Sequence, residues 1–389
     1  MRKHLLFVAY QYAKIGGLEA YSRKLAECLR GAGLSSGEIW SIYETQSELE
    51  GVNAPYPIYG LKPENPLLQK LYNRLWILVL AFVLLFWGWR FELIVLNHLY
   101  IAPALFLQTV FSKRRKYWIC THGYETWQDW PRFTKRVMRL ASKIITVSQF
   151  TKRFIKDRIP GADVFILPNS VDCDVFRPMP VEKEAGVKIL LTVGRLSKRD
   201  QYKGHDLVIQ ALPEIRRRSG QDVQYWIVGS GDDLPRLQAL AQEYQVPQYV
   251  KFLGFVPDGV LPGIYSKSDI FVMLSKVEKR GSGKWTGEGF GRVYLEAAAC
   301  GKPVIASNQG GAAEALVDQV TGFSLDPYSM DQLVDAVTYL LMNPDVADRM
   351  GAQGRKFVVD NYSDDVFRKL VNDLVQELDG ASKGASCVA

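Results

Sequence analysis

The chain has 389 residues, long for one domain and comfortable for two that each bury a full core. Its net charge of +7 is uneven. Residues 1–173 hold 23 Lys and Arg against 13 Asp and Glu, and the remainder holds 25 against 28, so the basic half suits an anionic partner such as a membrane surface or lipid phosphate. No zinc-ligand spacing or RNA-binding motif supports nucleic acid as a partner. The five cysteines (Cys28, Cys120, Cys173, Cys300, Cys387) are scattered, which fits a reducing compartment and argues against a disulfide framework.

His4 to Tyr10 has the pattern of a buried parallel strand, too short for a secretory signal. Gly16-Gly17 at the turn into a helix, Leu18 to Gly31, permits close approach of an anion. Leu75 to Trp89 is an uncharged run between Arg74 and Arg90, short of the about 20 residues a membrane span needs. It is either a helix docked on the sheet, leading into a strand at Phe91 to Asn97, or an interfacial segment carrying Trp76, Trp87 and Trp89. His122-Gly123 closes a strand that begins at Tyr117, where ligands bind in open α/β sheets, although a lone His is more often a structural residue. Arg132, Lys135, Arg136, Arg139 and Lys143 recur at helical spacing, as a solvated face or as a basic amphipathic helix for anionic lipid. Lys143 to Ser148 is a further strand.

Phe165 to Pro178 has the character of a linker, and Asp172-Cys173-Asp174 within it reads as a turn rather than a metal motif. A strand at Lys188 to Val193 runs into Gly194-Arg195, and Tyr202-Lys203-Gly204 precedes a helix, Asp206 to Arg217. Tyr225 to Val228 ends in the loop Gly229-Ser230-Gly231, and Val250 to Val256 is the next strand. Ser268 to Ser275, Val293 to Cys300 and Pro303 to Ser307 then form a strand, helix and strand. The helix begins at a Gly-Glu-Gly-Phe-Gly loop. Free backbone N–H groups at Gly289, Phe290 and Gly291 make an anion site suited to a phosphate. Beside a diphosphate, Glu288 and Glu296 are expected to face neutral hydroxyls, Glu296 a ribose and Glu288 a sugar. The plainer alternative is a capping acid and an exposed helix Glu. Gly281-Ser-Gly-Lys284 fails as a nucleotide P-loop because Glu278 and Trp285 stand where Gly and Ser/Thr are required, which leaves an enlarged, mobile loop. A last helix spans Ser363 to Leu378.

Glu288-Gly-Phe-Gly-Arg-Val-Tyr-Leu-Glu296-Ala-Ala-Ala-Cys-Gly resembles the E-x7-E signature of the family 4 retaining glycosyltransferases, and the resemblance runs over most of the chain. It implies an α/β fold of the GT-B class, two doubly wound Rossmann-like domains facing across a cleft. The expected boundaries are 1–173 on the acceptor side, 174–362 for the nucleotide sugar, 363–379 as a helix packing back on the first domain, and 380–389 as a disordered tail. Gly16-Gly17-Leu18-Glu19 is similar to the family's GG-x-E turn, bordering the donor diphosphate or the acceptor. His122 is implied beside the transferred sugar. Arg195 and Lys203 resemble the GR…KG pair that neutralises the leaving diphosphate, with Lys198 and Arg199 as rivals for the lysine. Gly229 falls on the donor loop and Val256 beside the base.

The implied reaction is retaining transfer of a hexose from a UDP- or GDP-sugar to a glycan or lipid-linked acceptor. It uses no cofactor and no catalytic metal, and is placed in the cytoplasm or peripherally on the inner face of a membrane. A sugar-nucleotide epimerase, a non-catalytic sugar-nucleotide-binding or scaffold protein, and a transferase with a soluble acceptor stay open. A phosphorylase would need a pyridoxal-bearing lysine context that is not found.

Overall fold

The computed structural model describes residues 4–14, 16–111, 116–281 and 283–384; Ile15, Ser282 and the tail at 385–389 lie outside the described residues. The chain divides into two units, Met1–Leu167 with Phe367–Ala389, and Pro168–Val366.

The first unit holds seven strands: β1 (His4–Ala9), β2 (Ser36–Ser41), β3 (Ile58–Gly60), β4 (Leu93–Leu96), β5 (Lys116–Thr121), β6 (Lys143–Thr146) and β7 (Val164–Ile166). All pair in parallel, in the order β3-β2-β1-β4-β5-β6-β7. Near-continuous apolar runs such as His4-Leu-Leu-Phe-Val-Ala9 belong to such a sheet because helices cover both faces. Those helices are α1 (Gly17–Gly31), α2 (Pro66–Trp87), α3 (Phe106–Phe111), α4 (Tyr124–Trp127), α5 (Arg132–Leu140) and α6 (Gln149–Arg158). Strand order reverses at β1, so the crevice at the carboxyl ends of β1 and β4 is the expected ligand position.

The second unit builds a six-stranded parallel sheet, β10-β9-β8-β11-β14-β15, from β8 (Val187–Val193), β9 (Asp222–Val228), β10 (Val250–Gly254), β11 (Ile270–Met273), β14 (Val304–Ser307) and β15 (Gly322–Leu325). Its helices are α7 (His205–Ser219), α8 (Leu234–Glu243), α9 (Leu261–Lys267), α10 (Arg292–Ala299), α11 (Met330–Met342) and α12 (Pro344–Tyr362). Order reverses at β8, next to β11. The enlarged loop expected before α10 carries a short antiparallel hairpin, β12 (Glu278–Lys279) on β13 (Trp285–Thr286).

The linker belongs to the second unit from Pro168, not from residue 174. Val171 N donates to Tyr362 O at 2.9 Å, and Arg355 holds the carbonyls of Cys173 and Phe176 at 3.4 and 3.1 Å. Asp172 Oδ1 accepts from the amides of Asp174 and Val175, so this acid closes a turn. The last helix, α13 (Asp364–Gly384), runs beyond the Gly380 at which the tail was expected to begin. From Phe367 it belongs to the first unit, with Phe367 edge-on to Tyr21 and Glu377 bridged to Lys143 at 2.7 Å.

Candidate functional site

In the second unit the chemistry gathers at the carboxyl ends of β8 and β11. Lys203 sits on a short 3-10 turn, Gln201–Lys203, clipped to the end of β11 by Lys276 N donating to Tyr202 O at 2.7 Å. Its stem packs against Gly194, and its ammonium reaches Glu288 Oε2 at 2.7 Å. Both side chains are largely buried, 11% and 17% exposed. Burial alone would lower the Lys203 pKa. The Glu288 carboxylate more than offsets it, so the group titrates above its ordinary value and stays a cation. Lys198 and Arg199, the rivals, are exposed.

Glu288 precedes the loop whose last residue, Gly291, is the N-cap of α10. Gly291 has φ +92, and a Cβ there would meet the Tyr294 ring at 2.3 Å, so the turn requires glycine. Phe290 is buried against Tyr362, so only its backbone is available to a ligand. Glu296 is 2% exposed; Arg292 Nε donates to its Oε1 at 2.7 Å and the Tyr265 hydroxyl to its Oε2 at 2.9 Å. Neither part of the plainer sequence reading holds, since Glu288 is not the cap and Glu296 is not exposed. Each acid carries its own cation instead. Each carboxylate oxygen keeps a second lone pair, so a ribose hydroxyl would share Glu296 with Arg292 and Tyr265.

Arg195 stands apart from this buried pair. Its side chain is 79% exposed and its Nε lies 3.1 Å from Asp200 Oδ2. Gly229, φ +140, is a glycine because a Cβ would fall 1.9 Å from Gly194 O; it locks the loops after β8 and β9 together. Val256 is half-buried just beyond β10. His205, next to Lys203 at the start of α7, went unremarked in the sequence. It is buried, its Nε2 has no hydrogen-bond partner, and burial and then the Lys203 charge push it down to about 3.

In the first unit the carboxyl ends of β1, β4 and β5 converge. His122 is half-buried, and its Nε2 lies 2.7 Å from Asn97 O. A carbonyl only accepts, so Nε2 carries the proton. Burial lowers the His122 pKa against an opposing Glu125, so the ring is neutral at pH 7 and Nδ1 is an acceptor. Glu125 Oε1 accepts from the backbone amides of His122 and Gly123 and fixes the turn. Asn97 is a hub that no sequence pattern marked: its Oδ1 accepts from Tyr10 N at 2.9 Å and its amide donates to Ser22 Oγ at 2.7 Å. The loop before Gly16 is pinned by buried Glu44, which accepts from Tyr12 N at 2.7 Å and Ala13 N at 2.9 Å. Gly16 makes room for Glu19, whose Oε2 would lie 2.2 Å from a Cβ, while Gly17 faces open space.

His98, stacked on His122 at 5.9 Å, is pushed down to about 4, chiefly by burial. His98, His122 and His205 thus share one sign. Between the ordinary histidine range near pH ~6.5 and these lowered values, the unfolded chain binds more protons than the folded one, so stability falls as pH falls. We expect Tm to drop between pH 7 and 5, and the drop to shrink in His98→Gln. An equal drop in both proteins would remove His98 from the account.

Two family models cover the chain in tandem, "Glycosyltransferase Family 4" over residues 15–175 and "Glycosyl transferases group 1" over 178–357. A GDP-mannose-dependent alpha-(1-6)-phosphatidylinositol monomannoside mannosyltransferase from Mycobacterium tuberculosis is 37% identical over 271 residues, 67% of this chain and 69% of that protein. The chain is a family 4 glycosyltransferase. The protein of the same description from Mycolicibacterium smegmatis is 37% identical over 252 residues, 62% of this chain and 65% of its own length, so the match spans just under two thirds of that relative. The structure is similar to a sucrose-phosphate synthase from Thermosynechococcus elongatus, with TM-score 0.78, 22% identity, and 98% and 100% of the two chains covered. That likeness identifies the glycosyltransferase's fold as GT-B.

Proposed function

We propose that this glycosyltransferase moves a hexose, with retention, from a nucleoside diphosphate sugar to a hydroxyl of a lipid-linked acceptor. GDP-mannose, which the named relatives use, is the first donor to test. The observation that carries the reading is the buried Lys203–Glu288 pair, 2.7 Å apart, at the start of α10. A diphosphate leaving group gains charge as the C1–O bond to phosphate breaks. Lys203 and the amides of Gly289–Gly291 supply fixed positive potential there, without a metal in this proposal. Both buried acids are ion-paired, Glu288 through Oε2 and Glu296 through Oε1, and are taken here as orienting groups rather than nucleophiles. The reading is therefore front-face: the acceptor oxygen bonds C1 on the side the diphosphate leaves, and its proton passes to a departing phosphate oxygen. In the first unit, neutral His122 offers Nδ1 as an acceptor for a substrate hydroxyl. Arg195 joins only by turning from Asp200 to the diphosphate.

Among the described residues no single helix is long and apolar enough to cross a membrane; Pro66–Asn73 and Leu75–Arg90 reach that length together but meet at an 83° bend. The face of α2 carrying Tyr72, Trp76, Leu80 and Leu84 joins the core. Leu75, Leu78, Val79, Phe82 and Phe86 are exposed, as are Trp87 and Trp89. Such an apolar face beside basic α5 supports a peripheral membrane reading. The test is incubation of the purified protein with radiolabelled GDP-mannose, UDP-glucose and UDP-galactose and a membrane lipid extract, with EDTA present. Label entering the lipid phase with retained anomeric configuration is expected. A strict divalent-metal requirement, an inverted product, or no transfer from any of the three donors would overturn it.

A further inference from the structure

The first unit contains a cavity of about 410 Å³ between α2, the turn after β4 and the start of α5. Its walls are mainly apolar: Trp76 and Ile77 from α2, Leu99 and Pro103 from the turn, Trp130 and Phe133 at α5. Its lining is completed by a polar group, Glu125, Gln128 and Asp129. Trp130 adds a buried Nε1–H without a hydrogen-bond partner. The polar group is one residue from the reactive turn, because Glu125 is the acid that holds the amides of His122 and Gly123. Trp76 and Ile77 lie on the same helix, α2, that bears exposed Leu78, Phe82 and Phe86 on another face. Exposed Arg132 and Lys135 sit on the same α5 as Phe133.

We infer that this cavity seats the hydrocarbon chain of an amphiphilic acceptor, with the acceptor's hydroxyl-bearing head at the Glu125–Asp129 group and its tail against Ile77 and Phe133. The inference rests on the lipid-acceptor reading above and adds where the lipid binds. A space of this size is typical of small-ligand sites, and its apolar walls give hydrocarbon what water does not. Carboxylates at the head end suit neutral hydroxyls. An anionic phosphate linking head and tail is instead matched by the cations of α5. An aromatic-walled groove also suits a sugar ring by stacking, but a lining that includes Ile77, Leu99, Pro103 and exposed Phe133, on the helix that carries Arg132 and Lys135, favours a chain that ends in a bilayer.

The probe is a series of n-alkyl α-mannosides, from methyl to decyl, held below their aggregation concentrations. Equilibrium dialysis against the full-length protein measures Kd directly, so the result does not depend on the sugar being the right acceptor. Each methylene should tighten binding about fourfold until the cavity is full. Ile77→Trp, which fills the cavity, and Phe133→Ser, at an exposed position that leaves the core alone, should both flatten this gradient. Phe82→Gln/Phe86→Gln, on the outer stripe, should leave it intact. A Kd independent of chain length overturns the proposal. So does a gradient lost only in the outer-stripe variant, or tightening with added sugar rings rather than methylenes. GDP binding, measured alongside, reports the donor side by itself. Its loss would sink the transferase reading without touching the chain-length result.

Discussion

Glu288→Gln is expected to lower kcat by about 10²–10³ while changing donor affinity little, because it removes the acid that pairs with Lys203 and that we propose positions the sugar. Lys203→Ala should reduce kcat and donor affinity together, since the ammonium meets the diphosphate before and during bond breaking. Each single change also strands its partner. A buried charge left unpaired costs about 3 kcal/mol or more, so both variants should lose Tm. The double variant Lys203→Met/Glu288→Gln removes both charges and should recover most of that stability without recovering turnover. This separates catalysis from folding. If Glu288→Gln turned over at a near wild-type rate, the acid would be structural and the proposed site would fail at its centre.

The pair was only half legible in the sequence. The Gly-rich start of α10, the eight-residue spacing of Glu288 and Glu296, and a lysine before α7 were all visible as one-dimensional patterns. That Lys203 is the partner of Glu288 was not, because 85 residues separate them and only the parallel order β8-β11 brings the two loops together. Lys198 and Arg199 were rivals to Lys203 in the sequence; both are exposed, whereas Lys203 is buried. For Glu296 the position was legible and its partners were not. The spacing drew attention to it, but the Arg292 four residues earlier forms an i,i+4 pair that takes one oxygen, and Tyr265 takes the other. Strands β1, β4, β5 and β8 were clear because apolar runs bounded by polar turns leave few alternatives. The β12–β13 hairpin was not, since two-residue strands carry no periodicity. Glu44 and Asn97 gave no signal either; their work is to hold backbone amides of distant loops, and sequence patterns do not record that.

Replacing Arg132, Lys135 and Arg139 by Gln is expected to weaken binding to vesicles of phosphatidylglycerol and phosphatidylcholine by about 10²-fold at low salt, taking about 1 kcal/mol for each cation at an anionic surface. The set is smaller than the five cations in the sequence. Lys143 is on β6, not on the helix, and is held by Asp163 at 2.6 Å and Glu377 at 2.7 Å. Arg136, although exposed, lies 3.4 Å from both Thr109 Oγ1 and Thr109 O. The remaining three are exposed beside Phe133 and Leu140, which are exposed too. Salt should weaken wild-type binding in the same direction, because charges at a surface are screened within a Debye length of about 8 Å at physiological ionic strength. Phe82→Gln/Phe86→Gln should act differently, reducing binding to neutral and anionic vesicles alike, since it removes buried apolar area rather than charge. Lys143→Ser should leave vesicle binding unchanged while loosening α13 from β6, seen as a lower Tm. Equal flotation of wild type and the triple variant would place α5 away from the bilayer. No flotation of wild type at low salt would remove the membrane from the proposal, leaving a transferase whose acceptor comes to it from solution.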